Sequence, residues 1–200
     1  GIGMHPTPLL HGMTFGEHAK MINGEKWLKD GIQCKLTIIP CLNYDRSKSY
    51  SLPVRPSPNL PNDQSINLYV SLCLFEGTNI SMGRGTEKQF QIYGSPYLPK
   101  SDFAFTPKPN FGDKAPLYNG IECNGEDLSA IPRINRLEIK WLIKAYQTTE
   151  DKCKFFDKRK FSIRAGNEKL QQQIEAGLSE EEIRNSWKEG LENFKKMRAK

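Results

Sequence analysis

This chain has no apolar run near the roughly 18 residues needed to cross a bilayer, so a membrane span is not expected. Its start carries no basic segment followed by an apolar one, so no leader pattern is read there. Its five cysteines, Cys34, Cys41, Cys73, Cys123 and Cys153, include no CxxC pair. Zinc sites usually draw on ligands a few residues apart, and no metal or other cofactor is expected. Histidine is scarce: His5, His11 and His18 are the whole supply. His11 and His18 are seven apart, not at the i, i+4 spacing of HExxH. There is no GxSxG elbow for a serine nucleophile and no GKT or GKS for a phosphate-binding loop.

What is present is ordinary globular material. At 200 residues the sequence suggests one domain, large enough to remove roughly 70% of its unfolded surface from water. The formal charge is +6, concentrated in 152–164 (KCKFFDKRKFSIR) and 195–200 (KKMRAK). Phe155, Phe156 and Phe161 among those lysines could be stacking groups for nucleic acid. The simpler reading is amphipathic helices with a solvated basic face and the phenylalanines inside, and nucleic-acid binding is not expected. Cys34 and Cys41 flank one strand-like stretch and could pair, but buried free thiols are the commoner case. The chain opens on Gly1-Ile2-Gly3 without an initiator Met, as expected of a mature end, a tag scar or the edge of a larger protein.

Residues 1–11 read as an extended arm. Thr14 with Glu17 has capping-box spacing, and a helix then runs to the stop signal Asn23-Gly24. Lys35–Pro40 (KLTIIP) alternates and is β-branched, a strand pattern. Residues 42–65 hold Pro53, Pro56, Pro58 and Pro61 and form a long semi-rigid loop of the kind usually kept for function. Ile66–Phe75 suits a buried strand or a helix, and periodicity does not separate them. Short strands are expected at Phe90–Tyr93 and Phe103–Phe105, and a turn at Asn124-Gly125. A helix is expected over Asn135–Thr148, another over Glu168–Ala176 ending at Gly177, and a third from the Ser179/Glu182 capping box through Phe194. The fold class is α+β (or α/β): a mixed sheet from the first two-thirds, C-terminal amphipathic helices, and two long ordered loops.

The segment Leu74–Thr86 (LFEGTNISMGRGT) carries the most chemistry. Its glycines let backbone amides approach a ligand. Glu76 can accept from hydroxyls or move a proton, Asn79 can donate and accept, and Arg84 can fork onto a carboxylate. Such a set suits a sugar carrying an acid, unless Glu76 and Arg84 simply pair with each other. The loop 52–63 holds Arg55, Ser57 and Asn59 in fixed positions. His11 precedes a helix N-terminus, where an anionic group can be received, and Asn43–Arg46 (NYDR) is a further polar turn. Only Glu76 offers itself as a catalytic carboxylate, whereas glycoside hydrolysis uses two.

Together HGMTFGEHAKMIN, NYDR, RPSPNLP and LFEGTNISMGRGTEKQF, with SWxxxLxxF at Ser186–Phe194, resemble the NamZ-type exo-β-N-acetylmuramidases, long catalogued as a domain of unknown function. The resemblance implies a Rossmann-like N-terminal catalytic domain that this chain lacks, joined to a C-terminal domain that residues 1–200 represent as a single unit. It implies that the cleft lies between the two, and that the C-terminal wall carries Glu76, Thr78, Asn79, Arg84, Thr86, Pro58 and Asn59, with His11 and Arg46. The family's tryptophan-rich stretch is replaced here by Asn43-Tyr44 and Tyr50-Ser51-Leu52. The implied reaction is release of terminal N-acetylmuramic acid from peptidoglycan fragments, in cell-wall degradation and muropeptide recycling. The lactyl carboxylate of that sugar would meet Arg84 or Arg46. The implied partners are a muramic-acid saccharide and the N-terminal domain, and the implied location is exported, periplasmic or cell envelope. Alone, the chain would be inactive. The rival expectations are a non-catalytic carbohydrate-binding module and a protein-interaction domain.

Overall fold

The segment 66–75, apolar enough for either element, is helical because Asn62 starts it. The Asn62 side chain accepts the Ser65 N–H at 2.9 Å, and Ser65 Oγ accepts the Asn62 N–H at 3.3 Å. This reciprocal cap satisfies two of the donors that a helix start leaves open. In this computed structural model, which describes residues 5–200, the second helix, α2, runs Asp63–Leu72 and tightens into a 3-10 turn over Cys73–Gly77. Leu68 and Leu72 are fully buried on its inner face, each contributing roughly 1.5–3 kcal/mol of transfer free energy.

At Gly77 the chain meets helix α4, Lys158–Ala165. A Cβ on Gly77 would lie 2.4 Å from Phe161 Cα, so no other residue lets the two backbones come this close. Two backbone bonds seal the approach: the Asn79 N–H donates to the Phe155 carbonyl at 2.9 Å, and the Asp157 N–H to the Gly77 carbonyl at 3.0 Å. Phe155, Phe156, Phe161 and Tyr146 pack ring against ring around this junction. The basic segment 152–164 thus has its phenylalanines inside and its lysines in water, as its pattern implies.

The sheet is small and wholly antiparallel. Strands β1 (Ile92–Ser95), β2 (Ala104–Phe105) and β3 (Cys123–Asp127) lie in the order β1-β3-β2. With helices segregated from it, the class is α+β. The Asn124-Gly125 pair, expected in a turn, instead sits in the central strand, where Gly125 opposes Gly94. A Cβ on Gly125 would fall 1.8 Å from the Tyr93 carbonyl oxygen, so glycine serves close strand approach here and not turning. The strand expected at Phe90–Tyr93 is shifted onward because Phe90 adopts φ +54°.

Helix α3 spans Lys140–Thr148 and begins later than its pattern suggests. The residues before it are held by tertiary bonds, among them the Glu138 N–H to Ser71 Oγ at 2.9 Å. Helix α5 is Lys169–Glu175, with Gly177 at φ +77° beyond it. The continuous helix expected from Ser179 through Phe194 is two, α6 (Glu180–Asn185) and α7 (Lys188–Arg198). The break falls where Ser186 Oγ donates to the Ile183 carbonyl at 2.7 Å and accepts from Gln173 Nε2 at 2.9 Å.

The first sixty residues are different. Helix α1, Phe15–Gly24, has the Thr14/Glu17 capping box that its sequence announces, yet buries no residue. Lys35–Pro40, which has the pattern of a strand, forms no strand and has no ladder partner among the described residues. Ile38 alone of that segment is partly covered, and Gly16 of α1 faces it. Residues 1–4 of the expected N-terminal arm lie outside the described residues. All five cysteines are free, and Cys34, Cys41 and Cys153 are exposed, so the expectation of buried thiols holds only for Cys123 and, half-buried, Cys73.

Candidate functional site

The candidate residues fall into two groups. The first is the Leu74–Thr86 segment with the loops that brace it. Glu76 ends up on the 3-10 turn after α2, not after a strand. Its side chain is 14% exposed, and both carboxylate oxygens are engaged. Arg84 Nη2 donates to Oε1 at 2.7 Å, and Arg164 Nε approaches Oε2 to 2.9 Å. The second contact is an ion pair without an aligned hydrogen bond, since the Arg164 Nε–H is buried and aimed at no acceptor. Pairing of Glu76 with Arg84 is therefore real, and a third member joins it.

Arg84 is held from behind. It lies between Gly83 and Gly85, both at positive φ (+80° and +77°). A Cβ on Gly83 would meet the Lys88 carbonyl at 2.7 Å, and one on Gly85 the Lys108 carbonyl at 2.8 Å, so both glycines are required by space as well as by conformation. The Arg84 guanidinium carbon stands 5.3 Å from the centre of the Phe90 ring, a cation–π geometry. Tyr69 packs edge-on to the same ring at 4.9 Å and is 40% exposed.

Thr78 and Thr86 spend their hydroxyls on the turn: Thr78 Oγ1 donates to the Phe75 carbonyl at 2.9 Å, and Thr86 Oγ1 to the Gly83 carbonyl at 2.7 Å. Asn79 is pinned through its backbone, its carbonyl accepting from Tyr118 Oη at 2.7 Å, while its buried Oδ1 has no partner among the described residues. Asn59 is buried and donates to the Gly112 carbonyl at 2.8 Å, and its Oδ1 is likewise unpartnered. Pro58 beside it is exposed. Asn110, two residues from Gly112, donates to the Thr86 carbonyl at 3.2 Å, so the 110–113 turn ties the Asn59 loop to the Arg84 turn.

The second group is His11 and Arg46. Arg46 donates to the Gly12 carbonyl at 2.6 Å and pairs with Glu17. Glu17 in turn accepts the Thr14 N–H at 2.7 Å. That amide bond first, and Arg46 next, pull the Glu17 carboxyl down to about 2. The helix N-terminus that was expected to receive an external anion therefore already holds one of its own. His11 stacks on His18 at 4.9 Å, and its Nδ1 accepts the Met13 N–H at 3.1 Å. Burial, then His18 and Arg198, lower its pKa. Arg198 of α7 donates to the His11 carbonyl at 3.0 Å. A cavity of about 640 Å³ opens here, where Met13, Met21 and Met197 join charged residues that include Glu17, Arg46 and Arg198. It includes no residue of the 57–116 region. Among the described residues no group of three or more His, Cys, Asp or Glu side chains could hold a metal ion.

Sequence reasoning missed Arg164, Tyr69 and Arg198. Arg164 stands in the basic run 152–164, whose pattern predicts a solvated face. The usable signal was its i+3 spacing from Phe161, because residues three apart on a helix share a face. Arg198 is 187 residues from His11, and no local pattern could join them.

Comparison with known proteins adds the following. Residues 67–200 match the family described as exo-beta-N-acetylmuramidase NamZ, C-terminal, and residues 1–64 match exo-beta-N-acetylmuramidase NamZ, N-terminal. The curated peptidoglycan beta-N-acetylmuramidase NamZ of Bacillus subtilis (strain 168) is 32% identical over 218 residues, which cover 100% of this chain and 52% of that protein. The chain thus spans about half the length of the relative it matches. A DUF1343 family protein from Bacteroides fragilis NCTC 9343 superposes with a TM-score of 0.88 at 42% identity, over 95% of this chain and 55% of that one. A second DUF1343 protein from the same organism, at 18% identity, gives a TM-score of 0.74 over 96% and 56% of the two chains, and shows the fold alone.

Proposed function

The chain belongs to the NamZ exo-β-N-acetylmuramidase family, and from that premise we propose that it is the C-terminal, substrate-cleft half of a peptidoglycan-processing glycosidase. In this reading the complete enzyme releases terminal N-acetylmuramic acid from peptidoglycan fragments. The carrying observation is that the match to the C-terminal family spans residues 67–200 and includes the whole Glu76–Thr86 segment. Arg84 is rigidly presented and one-third exposed. A guanidinium so placed suits the lactyl carboxylate that distinguishes muramic acid from its neutral counterpart.

Glu76 is poorly suited to be the catalyst. A catalytic carboxylate must reach the bond it acts on, and both Glu76 oxygens are already taken up by Arg84 and Arg164. The catalytic carboxylates then belong to an N-terminal domain, as the family resemblance implies. The segment 5–61 is consistent with such a partner. It contributes twelve of the nineteen large apolar side chains that are exposed among the described residues, including Ile32, Leu36, Ile39 and Val54. Unpaired Lys35–Pro40, strand-like in its sequence pattern, would be one strand of that domain's sheet, since unpaired strand edges are liabilities that proteins cover. Because peptidoglycan lies outside the cytoplasmic membrane, the reading carries an exported, periplasmic or envelope location.

The test is hydrolysis of a chromogenic N-acetylmuramide by the 200-residue chain alone and after addition of an N-terminal domain taken from a full-length relative. Activity is expected only in the second case, together with new amide protection at 35–40 in hydrogen exchange. Turnover by the chain alone would place the catalytic groups within it and overturn the division of labour. Saccharide binding without turnover in either case would favour a carbohydrate-binding module.

A further inference from the structure

We infer that Arg164 is the second half of an acid-recognition site with Arg84, and that Glu76 is the positioning residue holding the two guanidiniums apart. The inference deepens the proposed function and rests on it, since the ligand is the carboxylate of a muramic-acid sugar.

The arrangement follows from packing. Gly77 lets the 3-10 turn sit directly on the backbone of Phe161. Arg164 is one helical turn beyond Phe161 on the same face of α4, which brings its guanidinium to Glu76. Arg84 reaches the same carboxylate from the opposite chain segment, eight residues after Glu76. Two positive groups share one negative group, leaving a local excess of one positive charge. Each arginine side chain is 33% exposed, so the excess faces solvent. Arg84 uses one nitrogen on Glu76 and Arg164 donates no aligned hydrogen bond, and neither guanidinium has another acceptor among the described residues. Guanidinium offers five donors in a rigid fork, so most of them remain for a second carboxylate.

A structural salt-bridge cluster would tend to neutralise its charge. Here the count is two to one, and the only anion in the cluster is the buried one. Tyr69 and Phe90 lie edge to face beside Arg84, with Tyr69 the exposed ring of the pair. An exposed aromatic beside the arginine pair supplies an apolar surface for a sugar ring, at a place other than the one where the family's tryptophans are replaced.

The experiment is an NMR titration of the 200-residue chain with N-acetylmuramic acid and, separately, with N-acetylglucosamine, which lacks the lactyl acid. For Arg164→Gln, the Kd for the acid sugar is expected to rise about 10- to 100-fold, the range of one charge-assisted hydrogen bond, while binding of the neutral sugar stays unchanged. Arg164→Lys retains the charge without the fork and is expected to recover part of the lost preference. If Arg164→Gln fails to fold, the lysine variant carries the test: a several-fold weaker hold on the acid sugar alone supports the site. Equal affinity of the folded variant and the parent for the acid sugar overturns the role of Arg164 and leaves the wider reading intact. Loss of both sugars to the same extent makes Arg164 structural and also overturns it. No preference for the acid sugar in the parent chain overturns the reading and the inference together.

Discussion

Helices α1 and α2 are each ten residues long, and each opens on a capping box, Thr14/Glu17 in one and Asn62/Ser65 in the other. Yet α2 buries Ser65, Leu68, Ser71 and Leu72, whereas α1 buries nothing. The contrast extends to their surroundings. Every fully buried apolar side chain among the described residues lies at Leu68 or beyond, while Phe15 of α1 is 93% exposed. Local signals suffice to start and stop a helix, but a helix of this length owes most of its stability to tertiary packing of its apolar face. The region before Asn62 has the elements and lacks the opposing face. The region after it has both.

The largest effect that should separate the two regions is a core truncation. Phe161→Ala is expected to cost about 3–5 kcal/mol, read by urea denaturation. Ile39→Ala, at a side chain 88% exposed, should stay within about 0.5 kcal/mol. A comparable loss at Ile39 in the isolated chain would break the comparison. Once an N-terminal domain is bound, the same Ile39→Ala change should become costly, which would sharpen it.

A smaller effect is expected at the caps. Asn62→Ala should lower global stability by about 1 kcal/mol, visible as a lower melting temperature. Thr14→Ala should instead fray α1 alone, seen as faster amide exchange over 15–18 with the global transition unmoved. Equal shifts in melting temperature for both variants would mean that α1 is coupled to the core more tightly than its exposure indicates.

The smallest effect is a pH response confined to the first region. The Glu17 carboxyl is held at about 2, below its ordinary value of 4.5, chiefly by the Thr14 amide. A depressed carboxylate contributes its stabilisation fully above the unfolded value and loses it as pH falls through the folded one. The α1 cap should therefore persist at pH 4 and weaken toward pH 2. His11 responds higher on the scale. Its pKa is lowered from 6.5, and its Nδ1 must be unprotonated to accept the Met13 N–H. The turn at His11–Thr14 should be intact above pH 6.5 and loosen as pH falls below it. Carboxyl and imidazole chemical shifts measure both, and movement of α2 resonances in step with them would contradict the separation.

Much of this was legible beforehand, and the reasons differ by feature. Capping boxes, the stop at Gly177 and the inward phenylalanines of 152–164 are local, set by hydrogen-bonding groups and apolar faces a few residues apart. The Asn124-Gly125 pair misled because glycine serves turning and close strand approach alike, and only the neighbouring Tyr93 backbone decides which. Lys35–Pro40 has strand chemistry but no partner strand among the described residues. The Glu76–Arg84 pair could be read from spacing, and its third member could not.

The sequence by itself determined the helix starts at Thr14 and Ser179, the stop at Gly177, the glycine-hinged Arg84 turn and the family resemblance, because each rests on residues close along the chain. Only the tertiary structure decided that Glu76 is shared by Arg84 and Arg164, and that Arg198 holds His11. It alone decided that the apolar residues before Asn62 stay exposed. Those outcomes depend on which surfaces meet across long separations, and side-chain pattern records an apolar face without recording what will cover it.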